Sequence, residues 1–230
     1  MIQVMKEDRK SIQKLIVYVV GTVILLFYIE QGLTLPYLWK TLIKLPLFVV
    51  IPWLVRGGSG WSIVGQPHKK EILTMMSGAI FVVSAILLIY HGIATMIDQR
   101  AIVTDLTQRM VLGPQVLVIA AIYTTLVNAF VEEYFFRGVI FLGLKHRGKL
   151  KLGYFLSAAT FALYHVGIFM TWFSLPLMGL ALAGLFLGGL IFAWFADRTD
   201  SLLGSWVVHM SADAALMWVG FWGLQLFSAL

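Results

Sequence analysis

Residues 128–144, NAFVEEYFFRGVIFLGL, form an apolar helical run that carries two adjacent carboxylates, Glu132 and Glu133, and then Arg137. An ionisable side chain deep in an apolar span is costly, so its default reading is a functional site with partners elsewhere in the chain. Two questions follow: whether the run lies in a membrane, and what the rest of the chain brings to its charges.

Composition answers the first. Of 230 residues, 60% are hydrophobic and 12% charged, and mean hydropathy is +0.90. A soluble domain is nearer half apolar and a quarter charged. The expected fold is all-α: a polytopic membrane bundle of about seven transmembrane helices. The net charge of +6 reads as the basic loops of a membrane protein rather than as a nucleic-acid surface, since Lys and Arg concentrate on the cytoplasmic side. With no cysteine in the chain, disulfides, thiolate catalysis and cysteine-bound zinc are excluded. The first apolar run has no small-residue cleavage site and is read as a retained helix.

Apolar runs at residues 15–29 (its edge extended by 31–35), 38–55, 72–97, 114–144, 152–170, 177–196 and 202–227 give the seven spans. Pro46 and Pro52 predict a kink in the second, and Pro114 sits well as the first residue of the fourth. Placing the N-terminus in the cytoplasm puts the loops at 56–70, 145–151 and 197–201 inside. The near-neutral loops at 30–37, 98–113 and 171–176 then lie outside. In the sixth span, Gly184 and Gly188 form a small-residue pair suited to close helix approach. Its expected use is packing within the bundle, ahead of dimerisation.

The strongly polar residues read inside the spans are few. The fourth carries Thr124, Asn128, Glu132, Glu133 and Arg137; the fifth, Ser157, Thr160, Tyr164 and His165; the seventh, Ser205, His209 and Asp213. Thr124, Asn128 and Glu132 recur every four residues, as do Ser157, Phe161 and His165, and Ser205, His209 and Asp213, so each set is one helical stripe. At about 1.5 Å per residue, Glu132 and His165 come to the same depth on oppositely running helices. His209 and Asp213 read as shallower. Glu133 and Arg137 are an i, i+4 pair, expected to be a structural ion pair. Glu132 is then left without a cation and is the better candidate for chemistry. His68, His91 and His146 lack such surroundings and read as surface or interfacial.

Glu132, His165, His209 and Asp213 together suit water activation. Glu132 would take the proton with His165 holding the water, and His209 with Asp213 would stabilise a developing oxyanion. A zinc ion on Glu132, His165 and His209 is the alternative, Glu/His/His being a known catalytic set. No His-Glu-x-x-His occurs, and no Ser-His-Asp arrangement is compelling.

Glu132-Glu133-x-x-x-Arg137, Phe161-x-x-x-His165 and His209-x-x-x-Asp213 resemble the three motifs of the CPBP intramembrane proteases, also called Abi. That family includes the CAAX prenyl endopeptidases and bacteriocin-processing or immunity proteins. The resemblance implies that Glu132 and His165 activate water, that His209 and Asp213 form the oxyanion site, and that Glu133, Arg137 and Phe161 support the architecture. The family's third motif often ends in Asn, where this chain has Asp213. A metal-independent glutamate mechanism and a zinc mechanism both fit the motifs.

The expected protein is thus a single integral membrane domain over residues 1–230, with 114–227 the catalytic core, in a bacterial cell membrane. Its expected partners are the lipid bilayer and a peptide or membrane-protein substrate, with no nucleic acid. Its expected role is peptide maturation or bacteriocin self-immunity. The competing class is non-catalytic: an immunity or scaffold protein, or a small proton-linked transporter. The absence of an internal repeat argues against transport.

Overall fold

The structure, a computed structural model, describes residues 2–33, 35, 37–56, 69–98, 100–102, 104 and 114–223. His68, most of the loops read at 56–70 and 98–113, and residues 224–230 lie outside the described residues. All regular structure described is helical, and the chain is an all-α polytopic helix bundle.

Among the described residues, seven long helices build it. α1 is Ile2–Gly32, α2 covers 37–55, α3 is Lys69–Ile93, α4 covers 114–145, α5 is Leu150–Phe169, α6 is Leu175–Thr199 and α7 covers 203–223. Six are long and apolar enough to cross a membrane: Lys10–Gly32, Leu38–Val55, Lys69–Met96, Val118–Lys145, Leu150–Phe169 and Leu175–Thr199. α7 is not among these six; its regular α-helical part, Leu203–Trp218, is 16 residues long and carries the polar residues Ser205, His209 and Asp213. It packs against α3 and α6.

α4 is the axis of the bundle. Every residue from 131 to 144 is buried, including the charged Glu132, Glu133 and Arg137, which marks this stretch as central to the bundle. The peripheral helices instead leave large apolar side chains exposed, such as Val17 and Ile24 on α1 and Leu73 and Leu88 on α3, which suits contact with lipid. The helix expected to kink at Pro46 and Pro52 continues through both with a widened turn at Pro46–Val50. There the Ile51 N–H donates to the Pro46 carbonyl, five residues back. A second widened turn, Thr124–Asn128, lies just before the carboxylates of α4, where the Ala129 N–H donates to the Thr124 carbonyl.

Aromatic rings lock α2 and α5 to α4. Phe48 is fully buried and stacks on Phe135 with ring centroids 4.1 Å apart. Phe136 meets Phe161 edge-on at 5.3 Å, and Ser157 Oγ donates to the Phe136 carbonyl at 2.8 Å. Ser157 thus ties two helices together, and Ser205 Oγ donates within α7 to the Leu202 carbonyl; neither hydroxyl is spent on the polar centre.

The Gly184–Gly188 expectation is corrected. A Cβ at Gly179, Gly184 or Gly188 would meet nothing within 4 Å, whereas one at Gly189 would lie 2.8 Å from the Ala158 Cα. The close approach of α6 to α5 is at Gly189, roughly 100° round the helix from the face the motif marks.

Candidate active site

The four residues of α4 that matter here, Asn128, Glu132, Glu133 and Arg137, lie at i, i+4, i+5 and i+9, so Asn128 and Glu132 share one face while Glu133 and Arg137 share the next. The two carboxylates, adjacent in sequence, therefore look in different directions and meet different partners.

Glu133 and Arg137 are both fully buried and form the expected pair, with Nη1 3.0 Å from Oε1. The contact is one of charge rather than a directed hydrogen bond: Arg137 Nη1 and Nε and Glu133 Oε2 make no hydrogen bond among the described residues. The guanidinium lies over the rings of Phe161 and Phe192, at 4.4 and 4.9 Å, and Nη2 donates to the Gly189 carbonyl at 3.4 Å. Cation–π contacts of this kind strengthen where water is excluded. Removing one member of such a pair leaves a buried charge uncompensated, which costs about 3–5 kcal/mol.

Glu133 has a second partner that the sequence did not reveal. His209 Nδ1 lies 2.8 Å from Glu133 Oε1. A carboxylate oxygen accepts, so Nδ1 carries the hydrogen and Nε2 is turned into the site. Phe192 stacks on the same imidazole at 4.8 Å. His165 is oriented by the same logic: its Nδ1 lies 2.7 Å from the Phe161 carbonyl, which can only accept, so Nε2 again is the atom presented. Phe161 sits edge-on between the two rings, 4.6 Å from His165 and 5.5 Å from His209.

The two Nε2 atoms converge on one oxygen. Glu132 Oε2 is 3.9 Å from His165 Nε2 and 3.9 Å from His209 Nε2. Asp213 Oδ1 is 3.7 Å from His209 Nε2, and its Oδ2 is buried without a hydrogen-bond partner among the described residues. The expectation that His209 lies shallower than Glu132 is corrected: its Nδ1 is 2.8 Å from Glu133 Oε1 and its Nε2 3.9 Å from Glu132 Oε2, which sets this histidine level with both carboxylates. Separations near 4 Å between polar atoms are too long for direct hydrogen bonds and suit a bridging water.

The expectation that Glu132 has no cation is corrected as well. Lys44, on α2, is buried, with Nζ 3.5 Å from Glu132 Oε1. The same ammonium donates to Asn128 Oδ1 and to the Tyr164 hydroxyl at 3.3 Å, and Asn128 Nδ2 donates to Glu132 Oε1 at 2.8 Å. The signal for Lys44 was available, since it is an ionisable residue inside the apolar span Leu38–Val55. His91 and His146 stand apart and exposed, with His146 on Asp200 at 3.0 Å.

Among the described residues no three His, Asp or Glu side chains are grouped so as to hold a metal ion. Glu132 has the Lys44 ammonium as a counter-charge.

Residues 114–215 match the family model described as Rce1-like, type II CAAX prenyl endopeptidase Rce1-like. The match is consistent with the CPBP intramembrane proteases that the three motifs resemble. No curated protein and no solved structure matched the chain. The match runs from α4 into α7, so it contains Glu132, Glu133, Arg137, Phe161, His165, His209 and Asp213. Helices α1 to α3 lie outside it, and Lys44 with them.

Proposed function

We propose that this chain is an intramembrane endopeptidase in which Glu132 and His165 activate a water against a peptide bond. The observation that carries the reading is the approach of two imidazole Nε2 atoms, from α5 and α7, to the single oxygen Glu132 Oε2 at 3.9 Å each. A water held there is hydrogen-bonded to Oε2 and to His165 Nε2. As its oxygen attacks the carbonyl carbon, its proton passes to Glu132. The carbonyl oxygen becomes an oxyanion on the side of His209 and Asp213. His209 donates from Nε2 as the imidazolium, with Glu133 as counter-ion, and Asp213 donates as the carboxylic acid. Glu132 then returns the proton to the leaving amine, and the peptide is cut into acid and amine. No step passes through a metal.

The substrate is a peptide or a membrane-protein segment that reaches the site within the bilayer. The family match favours hydrolysis over the scaffold and transporter alternatives, because it covers all three motifs. In a bacterial membrane without prenylated substrates, the role is peptide maturation or bacteriocin self-immunity.

The test compares membrane peptides from cells carrying the wild type, Glu132→Ala or His165→Ala at equal expression. Each substitution removes one side of the water site and should lower cleavage by about 10²–10⁴-fold, the usual worth of a positioned general base. Specific peptides should therefore accumulate uncut in both variants. Full activity in purified Glu132→Ala protein would overturn the reading.

A further inference from the structure

The catalytic reading uses side chains from α4, α5 and α7, all inside the matched region 114–215. It leaves unexplained a buried lysine that reaches them from α2. Burying an ammonium is expensive unless it is paired and hydrogen-bonded, and Lys44 is only 7% exposed. Its surroundings meet that requirement with three oxygens from two other helices: Asn128 Oδ1, Glu132 Oε1 and the Tyr164 hydroxyl.

The placement is held from both sides. Phe48, one helical turn after Lys44 on the same face, stacks on Phe135 of α4 at 4.1 Å. The rings of Phe48 and Tyr164 flank the ammonium, 6.0 and 5.8 Å from Nζ. The head group is thus fixed at Glu132 by packing as well as by charge.

Hydrogen-bond direction gives the cluster a definite wiring. An ammonium can only donate, and an amide side chain has one accepting and one donating end. Lys44 takes the accepting end of Asn128, so the amide is obliged to present Nδ2 to Glu132, where it donates to Oε1 at 2.8 Å. Lys44 and Asn128 therefore both bear on the same oxygen of Glu132. The other oxygen, Oε2, is the one that faces His165 and His209. The carboxylate is divided into an anchored oxygen and a working oxygen.

We propose that Lys44 is a positioning residue for the reaction: through Asn128 and directly, it anchors Oε1 of Glu132 so that Oε2 is held toward the two imidazoles. This rests on the reading of Glu132 as the base. It adds that the site is incomplete without α2, a helix outside the family match. A purely structural role for Lys44 would be to neutralise a buried charge, and its loss would then show in folding rather than in turnover.

The test uses the full chain in proteoliposomes with a fluorogenic farnesylated CAAX peptide as probe, comparing wild type, Lys44→Met, Lys44→Arg and Glu132→Ala. Lys44→Met should lower kcat by about tenfold to a hundredfold, as small misplacements of a reacting group do. Its KM should stay within about twofold, and Lys44→Arg should recover part of the rate. A wild-type kcat in Lys44→Met, or a loss carried by KM alone, overturns the proposal. Glu132→Ala cleaving like the wild type would instead overturn the catalytic reading.

A second measurement needs no turnover. Infrared difference spectra against Glu132→Gln isolate the Glu132 carboxylate band in folded protein. That band should shift in Lys44→Met and move back in Lys44→Arg; an unshifted band in Lys44→Met overturns the anchoring whatever the probe peptide does.

Discussion

Asp213 is the residue where chemistry and sequence pull apart most clearly. Its Oδ1 lies 3.7 Å from His209 Nε2, on the side of the site given to the oxyanion in the proposed mechanism. An ionised carboxylate accepts hydrogen bonds and cannot donate, whereas an amide donates without needing a proton. Asp213→Asn should therefore keep cleavage within about threefold of the wild type or raise it. Asp213→Ala should lose about 10²-fold or more, the usual cost of an oxyanion donor. Peptide cleavage by the two purified variants decides the matter, and equal loss in both would remove Asp213 from the oxyanion site. The comparison also marks what was legible one residue at a time. Glu132, His165, His209 and Asp213 stood out because polar side chains are rare in these spans, and their spacing put each on a helical stripe. What spacing could not give was the cross-helix wiring. Glu133 holds His209 as well as Arg137, and Lys44 is bound to Glu132 across 88 positions of sequence. No local pattern shows that an ammonium on one helix ends beside a carboxylate on another.

Among the elements, the apolar runs were read correctly where composition alone decides and less well where packing does. α4 announced itself through charges in an apolar run, and its burial from 131 to 144 includes those charges because each has a partner within the bundle. α7 carries enough polar residues to fall outside the six spans defined by length and composition, and counting residues from its start misplaced His209, whose depth is set by its contacts with Glu133 and Glu132. The glycines of α6 show the same limit. Gly184 and Gly188 fit a known spacing, yet the neighbouring helix lies against Gly189, because the position of α5 and not the spacing sets which face is covered. Gly189→Ala would place its Cβ 2.8 Å from the Ala158 Cα, a backbone atom that cannot swing aside. It should destabilise the bundle by about 1–3 kcal/mol, the usual cost of overpacking. Gly184→Ala meets nothing within 4 Å and gains the better helix former, so it should be neutral or stabilising by up to about 1 kcal/mol. Thermal unfolding of the two variants in detergent gives the comparison, and equal effects would contradict this packing.

For the whole molecule, the long-range contacts sort the helix ends into two groups. Arg147 donates to Ser11 Oγ at 3.4 Å, which brings the loop after α4 beside the N-terminal part of α1. Lys145 pairs with Asp197 and Asp200 at 3.0 and 2.9 Å, adding the end of α6 to the same end of the bundle. At the opposite end, Gln31 donates to the Gly167 carbonyl at 2.5 Å, joining the end of α1 to the end of α5. The grouping matches the sequence reading, in which the start of the chain and the loops at 145–151 and 197–201 share a side. Because Lys and Arg favour the cytoplasmic face, that end should be cytoplasmic. Glu132 would then lie about 20 Å in from it, at about 1.5 Å for each residue back from Lys145 along α4. The chain has no cysteine, so single cysteines report sidedness without background. In intact cells an impermeant maleimide should label Thr171→Cys and should reach Lys149→Cys only after lysis. The reverse pattern would invert the bundle and put the substrate's approach on the other leaflet. Labelling of both in intact cells would break the grouping of helix ends, and with it the depth assigned to Glu132.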